Sequence, residues 1–176
     1  MSAHGEIRLE RGDITRVPVH AIVNASNARM IPGGGVSGAI HSAGGPSIAA
    51  EAREVIAHRG PLEPGEAAAT GGGRLSARHV IHALGPVWHG GRGGEPEALA
   101  SAYRNCVRAA DELGDASIAF PSISTGIFGY PIELAAPVAL RAVRDALDAA
   151  LSVREVRFVL YDDATYRAYE RALSEM

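Results

Sequence analysis

Apolar positions along this chain come in short runs, each followed by a longer stretch with helical spacing. Residues 6–10, EIRLE, alternate polar and apolar, which predicts a strand with one buried face. Residues 20–23, HAIV, form a short apolar run and predict a buried strand. From Val36 to about Ala57 the chain is rich in Ala, Ile and Glu, which predicts helix, interrupted near Gly44-Gly45-Pro46. Residues 66–70 and 79–84 predict two further strands, ended by Gly71 and by Gly85-Pro86. Residues 96–113 predict a helix with Gly114 at its end. Residues 117–120 predict a strand, 132–151 an Ala-rich helix and 155–161 a strong strand. A last helix over 162–173 takes Asp162 or Asp163 as its N-cap.

Strands alternating with helices predict an α/β fold with a largely parallel sheet. No internal repeat or long linker divides the chain, so residues 1–176 are expected to form one domain. In such sheets ligands gather in the loops beyond the carboxyl ends of the strands. Four loops qualify: 12–15, 24–38, 122–129 and 161–162.

The second of these contains GGGVSG, Gly33 to Gly38, which fits the dinucleotide pattern G-x-G-x-x-G. The surrounding chain does not support that reading. A true fingerprint turns directly from strand into helix and finds a ribose-binding carboxylate at the end of the next strand. Here residues 24–32 intervene before the first Gly, and the carboxylates at about the right distance, Glu51 and Glu54, fall in a helical stretch. A phosphate cradle fits better. Glycines let backbone N–H groups approach an anion, and a helix starting near Val36 aims its N-terminus at the same place. The loop Ser124-Thr125-Gly126-Ile127-Phe128-Gly129 repeats this chemistry after another strand, and two such loops suit a diphosphate.

Composition narrows the chemistry further. Charged residues are 21% and the net charge is −3, which argues against a strongly basic nucleic-acid binder. All 17 basic residues are Arg, so a lysine nucleophile or Schiff base is closed to this chain. The single cysteine, Cys106, fits a reducing compartment. The start, MSAHGEIRLERGD, lacks the pattern of a leader, and no apolar run nears the roughly 20 residues of a membrane span. The cytoplasm is the expected location, with no membrane partner.

The motifs together resemble the macrodomain family, the ADP-ribose-binding module, and within it the MacroD-type hydrolases. The matching pieces are Gly12 to Thr15, Ala21 to Asn27, Gly33 to His41, Ala43 to Pro46, Val80 to Trp88 and Ile118 to Pro131. They run in the family's order over nearly the whole chain. The resemblance implies a three-layer α/β/α fold around a mixed, largely parallel sheet. It implies that Asp13 binds the adenine amino group, with Ile14 close to the ring and Tyr161 stacked on it. Gly33, Gly34, Gly35 and Val36 would hold the diphosphate and distal ribose with Ser124, Thr125, Gly126, Ile127 and Phe128, and Phe128 would cover that ribose. Asn27 matches the family's catalytic-site Asn, and Asn24, counted with it among the ligand-binding residues at the ribose end, would also tie the loop to the strand end. No cofactor or metal is implied, and a monomer is expected.

Ser37 departs from the family pattern GGGVDG, where an Asp acts on the attacking water. A serine hydroxyl is no general base near neutral pH, but it can orient a water or the ribose. His41, one helical turn on, shares a face with Ser37, yet it also belongs to the family's ordinary pattern, where it is not the base. His79 and His82 face opposite sides of a strand and make no metal pair. Cys106 has no sequence partner that would make it a nucleophile. Two functions stay open. One is a hydrolase that removes ADP-ribose from modified targets. Acidic side-chain esters on protein lead among its substrates, and O-acyl-ADP-ribose or ADP-ribosylated nucleic acid follow. The other is a non-catalytic ADP-ribose reader.

Overall fold

The computed structural model describes residues 5–176; residues 1–4, the first part of the stretch read above for a leader, lie outside the described residues. In chain order the strands are β1 (Glu6–Arg11), β2 (Ala21–Ala25), β3 (Ala67–Gly71), β4 (His79–Ala83), β5 (Ser117–Phe120) and β6 (Glu155–Leu160). The helices are α1 (Gly35–Gly44), α2 (Pro46–Arg59), α3 (Glu95–Glu112), α4 (Ile132–Ala149) and α5 (Asp163–Ser174). A 3-10 turn, Ile14–Arg16, follows β1.

The sheet order is β1-β6-β5-β2-β4-β3. All pairings are parallel except that of β3 with β4, so the expected mixed, largely parallel sheet is present. Alternation explains why the middle strands read as unbroken apolar runs. Ala21, Val23, Ile81, Ala83, Ile118, Phe120, Val156 and Phe158 point into one core beneath α3, α4 and α5. Their neighbours Ile22, Val80, Ala119 and Val159 point to the other face, toward Ile40 of α1 and Ile48 of α2. A strand covered on both faces has no polar side to display. Helices on both faces make the α/β/α layering.

The helix ends follow from local chemistry. Gly45, at φ 80°, joins α1 to α2, and Pro46 opens α2 where its missing N–H costs nothing. Asp162 caps α5 by accepting the Thr165 N–H at 2.8 Å. Helix α4 keeps Pro137 in its interior; the sequence reading did not mark it as a break, and the helix runs through it.

Strand order places the site. Strands β2 and β5 are neighbours and parallel, so the two glycine loops leave the sheet side by side from the same edge. Among the described residues, no helix is long and apolar enough to cross a membrane.

Candidate functional site

The two loops enclose a cavity of about 360 Å³. It is lined by residues 25–27, 33–37, Gly85, 121–124 and 126–128. None of these carries an ionisable side chain. Anything anionic held here is held by backbone N–H groups and the N-terminus of α1.

Several local features build that wall. Gly34 precedes α1 and provides no side-chain cap, so the first N–H groups of the helix remain free for a ligand. Ser37, in the first turn, is buried, and its Oγ accepts the Gly33 N–H at 3.3 Å. It therefore ties the glycine run back onto the helix while facing the cavity. Opposite, Ser124 holds a left-handed backbone at φ 69°, which costs a non-glycine residue about 1–3 kcal/mol. The Tyr130 N–H to the Ser124 carbonyl, 3.0 Å, and the Gly129 N–H to the Gly126 carbonyl, 3.0 Å, close this turn.

Gly85, read above only as a strand stop, lies at the cavity floor. A Cβ there would stand 2.1 Å from Ser124 Oγ and 2.5 Å from Ile123 Cγ2. The loop after β5 can pack down only because position 85 is bare. Ser26, Pro121, Ser122 and Ile123 also line the cavity and were missed. Ser122 and Ile123 sat within the recognised SISTG stretch, but nothing in their residue types set them apart.

The other expected residues fall around this cavity. Asn27 lines it with its amide partly engaged: Nδ2 donates one of its two N–H groups to the Ile31 carbonyl at 2.8 Å, and Oδ1 accepts from the Arg29 and Ile31 N–H groups at 3.2 and 3.0 Å. It staples the long loop. Asn24 is fully buried and does not line the cavity; its Nδ2 contacts His82 Nδ1 at 3.1 Å, and His82 Nε2 meets Thr70 Oγ1 at 3.0 Å. Burial, with a smaller contribution from His41, holds the His82 pKa down at about 3, so the ring is neutral. His41, 6.1 Å from it ring to ring, is also lowered by burial and lies outside the cavity lining. Thr125 turns its hydroxyl to Ser122 at 2.8 Å rather than into the cavity.

Asp13 caps the 3-10 turn, accepting both the Thr15 hydroxyl at 2.6 Å and its N–H at 2.9 Å. Those two bonds hold its carboxyl below the ordinary range. It borders a separate depression with Thr15 and Arg16. Ile14 is buried beside it, and Tyr161 stands 87% exposed beyond β6 with its ring free to receive a flat partner. Another depression lies along α2 alone, between Glu51 and Arg59, and no glycine loop borders it. Among the described residues, no group of three or more His, Cys, Asp or Glu is placed to hold a metal ion. His79 instead pairs with Asp115 at 2.7 Å, away from His82, which points to the opposite face of β4. Cys106 is buried in the core, and burial pushes its thiol far up.

The Macro domain family model matches residues 23–139. An O-acetyl-ADP-ribose deacetylase of Cronobacter sakazakii is 45% identical over 171 residues, covering 97% of this chain and 95% of that protein. A mutant Oceanobacillus iheyensis macrodomain solved with ADPR superposes with a TM-score of 0.92 at 35% identity, covering 98% of this chain and 94% of that one. A Trypanosoma brucei macrodomain in complex with ADP-ribose gives a TM-score of 0.83 at 36% identity, covering 95% and 68%.

Proposed function

The chain belongs to the macrodomain family, and from that premise we propose that residues 1–176 form a single cytoplasmic macrodomain that binds ADP-ribose and hydrolyses an ester at its distal ribose. The observation that carries the reading is the charge-free cavity between two loops of backbone donors, at the edge where β2 and β5 end. Such a wall suits a diphosphate without demanding a cation. Asp13, Ile14 and Tyr161 would take the adenine, and Phe128 the distal ribose. Relatives named O-acetyl-ADP-ribose deacetylase support an ester as the bond broken. O-acyl-ADP-ribose and acidic side-chain esters on protein are both such substrates.

For the O-acyl ester the reaction balances simply. Water adds to the acyl carbon, and the bond from that carbon to the ribose oxygen breaks. A proton ends on that oxygen, giving ADP-ribose and a carboxylic acid. Ser37 cannot take the proton from water. With its oxygen accepting from Gly33, its own proton remains free to orient water or ribose. A substrate phosphate oxygen is the base within reach of a cavity that offers none. Positioning supplies the remainder; in ideal cases it is worth about 7–11 kcal/mol.

One observation favours a second reading. Ser37 has a structural task in holding Gly33, which would persist in a domain that only binds ADP-ribose. The test is incubation with O-acetyl-ADP-ribose and with a glutamate-linked ADP-ribosylated protein, following the release of free ADP-ribose beside Asn27→Ala and Ser37→Ala. Release by the wild type that falls in the variants supports the hydrolase. Binding of ADP-ribose with no release from either substrate leaves the reader.

A further inference from the structure

Residues 87–94, VWHGGRGG, form a third glycine loop that the function above does not use. The acidic residue that directly follows it, Glu95, is 2% exposed at the first position of α3. One carboxylate oxygen accepts the His89 N–H at 2.8 Å and the Gly91 N–H at 2.9 Å; the other accepts the Gly93 N–H at 2.6 Å. The loop thus forms a nest of backbone donors whose occupant is the protein's own carboxylate. These bonds hold Glu95 ionised, with its pKa at about 2.

The nest fixes Trp88. Gly91 lies so close that a Cβ there would stand 2.9 Å from Trp88 Cη2, and its φ of 87° suits only glycine. Trp88 in turn grips the cavity loop at two points. Its N–H donates to the Phe128 carbonyl at 2.9 Å, and its ring lies 4.5 Å from that of Tyr130. Phe128 lines the cavity.

We infer that Glu95 is a positioning residue for ligand recognition, setting Phe128 over the distal ribose through the braced Trp88 loop. This rests on the reading of Phe128 as the cover of that ribose. A mere helix cap would influence stability alone. A brace for Phe128 affects ligands that reach it and spares those that do not. On that reading ADP-ribose reaches the Phe128 ring, whereas ADP, which lacks the distal ribose, meets the loop only at its phosphate-binding backbone.

Calorimetry with ADP-ribose and ADP, on wild type and Glu95→Gln, separates the two. The glutamine keeps the size of the side chain but sets an amide N–H against a backbone N–H. Loss of one charge-assisted bond is expected to weaken ADP-ribose about tenfold while ADP changes less than about twofold. The single tryptophan gives an independent readout. Trp88 emission should respond to ADP-ribose more than to ADP in wild type, and lose that difference in Glu95→Gln. Should Glu95→Gln not fold, Trp88→Leu, which removes the ring contact with Tyr130, carries the same expectation of a lost preference. Equal weakening of both ligands, or no change in either, overturns the inference. A wild type that does not prefer ADP-ribose over ADP overturns instead the reading of Phe128 on which it rests.

Discussion

Substituting Gly85 by alanine tests how the cavity is built. The new methyl would stand 2.1 Å from Ser124 Oγ and 2.5 Å from Ile123 Cγ2, both far inside van der Waals contact. Ile123 is fully buried and its β-branched Cγ2 has no room to turn aside, while the Ser124 hydroxyl borders the cavity. The strain must move the loop that carries both. Overpacking of this kind costs about 1–3 kcal/mol. In a chain of this size about 2 kcal/mol corresponds to a fall in Tm of roughly 4–8 °C. Since the loop also forms the cavity wall, ADP-ribose affinity should fall by about tenfold, equivalent to ~1.4 kcal/mol. The variant Gly85→Ala/Ser124→Ala removes the nearest clash and should recover part of both losses. Thermal melts and calorimetry on the single and double variants supply the numbers. A Gly85→Ala protein that melts and binds like wild type, or a double variant no better than the single, would refute the packing argument.

Two further outcomes follow from the buried and facing groups of the site. His82 is held neutral by burial, with a pKa of about 3 against about 6.5 when unfolded. The unfolded chain therefore binds the extra proton between those values, and the stability His82 contributes is whole above pH 6.5 and declines as pH falls toward 3. Urea unfolding should show a loss of about 2 kcal/mol from this residue between pH 7 and 5, and His82→Gln should lack that component of the slope; an unchanged slope would contradict the assignment. Ser37→Asp places a carboxylate within a cavity that otherwise has no ionisable group. Ester hydrolysis should rise at least about tenfold and acquire an acid limb in its pH profile, as general bases contribute roughly 10²–10⁴, whereas an unaltered rate would mean that base catalysis is not what limits the wild type.

Much of this architecture was legible because one physical rule governs it. Strands buried on both faces are largely apolar, with any buried polar group paired as Asn24 and His82 are, and HAIV, HVIH and SIAF each became a central strand. The break between α1 and α2 was legible in Gly45-Pro46 because no helix passes through that pair unaltered. The two glycine loops were legible as a pair; their adjacency was not, since strand order depends on crossovers that leave no local trace. Side-chain partners were the least legible. Nothing near Asn27 in sequence says that its amide closes a turn on Ile31, nor that Asn24 reaches His82 across 58 residues. Gly85 read as punctuation because a close approach across the fold is invisible until the other loop is placed. Glu95 looked like an ordinary first-turn acid of α3, and its grip on the preceding glycines emerges only from their folded path.

The central claim is that the charge-free cavity is both the place where ADP-ribose binds and the place where its ester is cleaved. Turnover of O-acetyl-ADP-ribose in the presence of added ADP-ribose tests it most directly. Release of ADP-ribose by the wild type is expected, competitively inhibited by free ADP-ribose with an inhibition constant equal to its calorimetric Kd. Tight binding of ADP-ribose without turnover, or turnover that ADP-ribose does not inhibit, would contradict it.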